Sequence, residues 1–169
     1  MKYLLEEFIS GNKCKILALS DPLTGEFLID QVCKIYTAFL TGDGTEPDHS
    51  SRADGLFDNL VTYFEHVADF GLDRSKIKAE DSPTSLKQTR YHVFRLKDKR
   101  IDYQDYFRLY FLFDGYTVII LGGGGIKLRT IRDHRDDKAL NLQTKMLEKL
   151  KVILEIKDVN ELINQLIEL

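Results

Sequence analysis

Residues 91–127 read YHVFRLKDKRIDYQDYFRLYFLFDGYTVIILGGGGIK, and the pattern in this stretch decides the fold. Successive residues of a strand point to opposite faces. His92, Phe94 and Leu96 therefore go one way, and Tyr91, Val93, Arg95 and Lys97 go the other. The alternation repeats further on, where Phe107, Leu109, Phe111 and Phe113 form an apolar row with Tyr106, Arg108, Tyr110 and Leu112 on its reverse. One face is core, and on the other cations stand beside aromatics. The alternation predicts that Phe94, Leu96, Leu109 and Phe111 are buried while Arg95 and Arg108 are at least partly exposed. Tyr91, Tyr106 and Tyr110 are then placed to stack on the bases of a polyanion held by those cations.

Short connections make these strands an antiparallel meander, completed by the β-branched run Thr117–Leu121. Four glycines, 122–125, follow it. They do not build a phosphate loop, because GxxxxGK[ST] fails at Leu128, and a bend or bulge is expected instead. Upstream, Tyr3–Ile9 and Cys14–Leu19 are short apolar runs that periodicity alone leaves undecided between strand and helix. Asp21-Pro22 predicts a helix start, with Leu28, Val32, Ile35 and Phe39 at helical spacing and Gly42 at the stop. Residues 41–51 read as an exposed loop. Ser51 or Asp54 then caps a second helix with the stripe Leu56, Leu60, Phe64 and Val67, ended by Gly71, and Ser82-Pro83 turns the chain into the meander. From Asp137 the pattern is helical to the end, with a break near Lys157 and a restart capped by Asp158 and Glu161. The terminal apolar stripe either packs on the sheet or docks a partner. The element order is β-α-α-β-β-β-α-α: an α+β domain with an antiparallel sheet of three to four strands, two N-terminal helices packed on it, and C-terminal helices.

With 169 residues, ordinary apolar and charged fractions, and no internal repeat, residues 1–169 suit a single domain around one core. No apolar run approaches the roughly 20 residues that span a bilayer, and MKYLLEEFIS carries acids where a secretion signal carries cations. A soluble, cytoplasmic protein without a membrane partner is expected. Cys14 and Cys33 lack both a CxxC spacing and a histidine pattern, so the expectation is buried free thiols, no metal and no cofactor. The net charge of −3 argues against nucleic acid until its distribution is considered: residues 85–135 hold eleven Lys/Arg against five Asp/Glu, or +6, leaving −9 elsewhere. The competing explanation is that cations along strands discourage edge-to-edge aggregation.

The strings Phe94-Arg95-Leu96-Lys97, Tyr106-Phe107-Arg108-Leu109-Tyr110 and Val118–Leu121 followed by Lys127 and Arg129 resemble the RelE/ParE toxin superfamily of bacterial toxin–antitoxin modules, including its HigB-like branch. The resemblance covers about residues 51–135. It implies a messenger RNA endoribonuclease working in the ribosomal A site, restrained by a cognate antitoxin. Arg95, Lys97, Arg108, Lys127 and Arg129 take the catalytic positions. Guanidinium groups hold a phosphate whose charge grows in the transition state, and Lys97 is the candidate base for the attacking 2′-hydroxyl. Tyr91, Tyr106, Tyr110, Arg132 and His134 are the RNA-binding candidates; His134 lies near a family tyrosine that has no match here. The N-terminal region is longer than in a typical small toxin, and the C-terminal helices extend past the usual end. The alternative is a non-catalytic protein of the same kind, a gyrase inhibitor or a protein-interaction domain.

Overall fold

The computed structural model describes residues 1–41, 55–81, 90–98, 101, 107–128 and 137–169. Among them, β1 (Lys2–Ser10) and β2 (Lys15–Ser20) form a hairpin, followed by helices α1 (Leu28–Thr41) and α2 (Leu56–Phe70). Next come β3 (Ile77–Ala79), β4 (His92–Leu96), β5 (Phe107–Phe113) and β6 (Val118–Ile126), then α3 (Lys138–Ile156), the single turn α4 (Val159–Leu162) and β7 (Leu166–Glu168). All seven strands join one sheet in the order β3-β4-β5-β6-β2-β1-β7. Every neighbouring pair is antiparallel except β2 and β6, which run parallel with Lys15 opposite Val118.

The expected antiparallel sheet of three to four strands packed by two N-terminal helices is therefore replaced by a seven-stranded mixed sheet covered on both faces. On one face Ile29, Val32 and Tyr36 of α1 and Leu60, Phe64 and Val67 of α2 bury Ile16, Leu96, Leu109 and Phe111. On the other, Leu140, Leu147, Leu150 and Leu154 of α3 bury Leu17, Val93, Tyr110, Leu112 and Ile120. A strand enclosed on both sides reads as a continuous apolar run and loses the two-residue signal. KILALS of β2 is such a run, and all seven residues of β5 are buried. Both cysteines are buried and free, and burial with Asp30 nearby pushes the Cys33 thiol up to about 12.

Two local expectations change and one holds. Asp21-Pro22 starts a turn, not a helix: the Asp21 carboxylate accepts from Leu23 N–H at 2.8 Å, its carbonyl accepts from Gly25 N–H at 2.8 Å, and α1 begins at Leu28. The chain after Asp137 is not helical to its end. Asp137 caps α3 through Leu140 N–H at 3.0 Å and Asp158 caps α4, but Asn164 at φ 62° turns the chain into β7, which pairs with β1. The glycine run does form a bulge, since Leu109 pairs with Gly124 while Phe111 already pairs with Leu121. The expectations at Gly42, the 41–51 loop beyond Thr41, Ser51, Asp54 and Ser82-Pro83 fall outside the described residues. No helix among those described is long and apolar enough to cross a membrane.

Candidate functional site

Because β4 and β5 are antiparallel neighbours, Arg95 stands opposite Tyr110, and Arg108 lies two residues along β5 on the same side. This side is the one that α3 covers. Arg95 is 13% exposed and its Nε donates to Glu80 Oε1 at 2.6 Å. Arg108 is 3% exposed, with one guanidinium nitrogen 3.2 Å from the carbonyl of Phe107. Tyr110 is fully buried between them. Burial pushes its phenol well above the ordinary range, the Glu80 carboxylate adds to this, and the Arg108 and Arg95 guanidinium groups partly offset it.

Beside this cluster lies a second one. Asp81, just past β3, accepts from Lys151 Nζ at 2.7 Å and from Val93 N–H at 2.9 Å through Oδ1, while Oδ2 is 3.1 Å from His92 Nδ1. The Lys151 and Asp81 side chains are 2% and 1% exposed, and Glu148, one turn back on α3, is 3.6 Å from Lys151 Nζ. The helix is thus fastened to the β3–β4 edge by a buried ion pair. The carboxylate also fixes the ring of the more accessible His92. Sequence patterning missed Glu80, Asp81, Glu148 and Lys151. The available signal was Lys151 itself, which interrupts the α3 stripe one turn after Leu147 and needs a carboxylate to be buried there.

The structure brings Arg95 and Arg108 together as the alternation requires, but on an enclosed face. Arg108 is not exposed, and Tyr91 and Tyr110 are packed in the core beneath α3, where no base reaches their rings. The physical reason is α3: the sequence put apolar stripes on the C-terminal helices, and their partner is this side of the sheet. Lys97 is exposed past the end of β4, and Lys127 is partly exposed past the end of β6, at the same end of the sheet. Tyr106, Arg129, Arg132 and His134 lie outside the described residues. Among those described, no group of three or more His, Cys, Asp and Glu is arranged to hold a metal ion. In comparisons with protein-family models, curated proteins and solved structures, nothing matches this chain.

Proposed function

We propose that the chain is a toxin-like protein of the RelE/ParE kind that acts by binding its target rather than by cutting RNA. The observation that carries this is the burial of Arg108, Tyr110 and Tyr91 beneath α3, together with the short Arg95–Glu80 pair. A scissile phosphate needs cations that reach it, and a base needs an open ring to stack on. These groups are spent on the sheet–helix interface. Support for the family comes from the sequence strings around Arg95, Arg108 and Lys127 alone, since the seven-stranded mixed sheet is not the small antiparallel sheet that the family implies.

Ribonuclease action is the second reading, favoured by the convergence of Arg95 and Arg108 on adjacent strands and by the Asp81-oriented His92. Induction in a bacterial host separates the two. The expected outcome is growth arrest with translated messages intact, and Arg108→Ala acting through loss of folded protein. Messages cut by the wild type but spared by a folded Arg95→Ala variant would replace binding by ribonuclease action. A well-expressed wild type that arrests nothing would overturn both.

A further inference from the structure

A second feature stands at the opposite end of the sheet from Lys97 and Lys127, where β2 and β6 begin. A pocket of about 420 Å³ opens there, and Lys13, Lys15 and Arg90 line it. The three cations come from two distant parts of the chain, the β1–β2 turn and the residue that precedes Tyr91 at the start of β4.

The turn that carries the lysines is clamped. Lys13 N–H and Cys14 N–H both donate to the carbonyl of Ala68 on α2, at 2.8 and 2.9 Å, and Lys15 N–H donates to Thr117 at 2.7 Å. Gly11 leaves no room for a side chain, since a Cβ there would lie 2.6 Å from the Ala68 carbonyl carbon. The amides of residues 13–15 are therefore committed inside the protein, and any anion is gripped by side chains. Arg90 is steadied by the ring of Tyr91, with 5.8 Å from guanidinium carbon to centroid, and by Asp114 Oδ2 at 3.5 Å. Lys15 Nζ has Glu7 at 3.2 Å and Asn160 Oδ1 at 3.4 Å, an accessible pair that exchanges readily for a stronger anion.

Against three cations the lining holds one carboxylate, Asp158, and one of its oxygens is taken by Asn160 N–H at 2.8 Å. Glu7 and Asp114 reach Lys15 and Arg90 from outside this lining, so an entering anion has to displace them, and a fork-shaped guanidinium with two ammonium groups matches a doubly charged tetrahedral oxyanion. The volume falls in the range of small-ligand sites. We propose that this pocket binds the phosphate group of a small phosphate monoester, up to the size of a mononucleotide, between Lys13, Lys15 and Arg90. This holds whether the protein acts by binding or by cutting, because the pocket shares no residue with the Arg95–Arg108 cluster.

Calorimetric titration of the full chain with inorganic phosphate, ribose 5-phosphate and adenosine monophosphate tests it. Saturable one-to-one binding is expected, weakened roughly tenfold or more by Lys13→Gln or by Arg90→Gln, the loss that follows removal of one charged hydrogen-bonding partner. Lys78→Gln, a change at an exposed lysine on β3 remote from the pocket, should leave the titration unchanged. No saturable binding by the wild type, or equal weakening by all three variants, would overturn the site. Binding confined to a 5′-phosphorylated oligonucleotide, with the free monoesters inert, would overturn the small-molecule assignment. Circular dichroism of each variant keeps loss of binding distinct from loss of fold.

Discussion

Lys151 occupies a position that the α3 stripe would fill with leucine, and its ammonium is balanced by Asp81 at 2.7 Å. Burying two charges is expensive, and their attraction offsets that cost only while both are present. Lys151→Met should therefore destabilise the protein by about 3–5 kcal/mol, because it strands the Asp81 carboxylate against Val93 N–H and His92. Adding Asp81→Asn should recover a substantial part of the loss, since the uncompensated charge is then gone. Urea melts of both variants check this; a Lys151→Met loss no larger than that of a surface substitution would mean the pair contributes nothing. None of this was legible from alternation. Asp81 lies far from Lys151 in sequence, and only the antiparallel pairing of β3 through β6 and the seating of α3 across those strands bring the β3–β4 edge under the helix.

At the scale of the element, β6 shows what the sequence did disclose. Four consecutive glycines in a β-branched strand signal a bulge or a close approach, and both are present: the pairing shifts between Leu109 and Phe111, and α3 rests on the strand. The two causes make separable predictions. A Cβ on Gly124 would overlap the carbonyl oxygen of Arg108 in the neighbouring strand, and backbone yields little. A Cβ on Gly122 would meet the Leu147 methyl groups at 3.0 and 3.2 Å and the Tyr110 carbonyl oxygen at 3.2 Å, milder contacts of which the leucine can turn aside. Gly124→Ala should thus cost on the order of 3 kcal/mol, the upper end for overpacking, and Gly122→Ala about 1 kcal/mol. Thermal melts that reverse this order would mean that helix packing, not the bulge, holds the glycines in place. The α2 stripe and its Gly71 end were equally legible, because an amphipathic helix keeps its period whatever lies beneath it. The strand β7 was not: an apolar tail of Leu162, Ile163, Leu166 and Ile167 also fits a helix, and the break is made by Ile163, already extended, and Asn164 at positive φ.

For the whole molecule, the misread quantity was the number of covered faces. Alternation in β4 and β5 correctly divided the side chains into two sets, but it could not say that a helix lies on each. Hence the basic and aromatic set, which alternation alone makes a surface, lines a second core. Hydrogen exchange should reflect this arrangement. Amides of β5, enclosed by β4, β6 and helices on both faces, should exchange only through global unfolding, while β3 and β7 at the two edges should exchange through local opening. Protection of β7 equal to that of β5 would show that the sheet opens as one unit.

The pairing of Lys2–Leu4 with Leu166–Glu168 also sets a timetable for biosynthesis. While the chain grows from the ribosome, β1 and β2 can close into a hairpin early, yet β2 waits for residues 118–121 before its other edge is covered. The outer edge of β1 near Tyr3 stays open until residues 166–168 have left the exit tunnel. Nascent chains halted before that point carry an unfilled strand slot, which is where holding chaperones or a second nascent copy would attach.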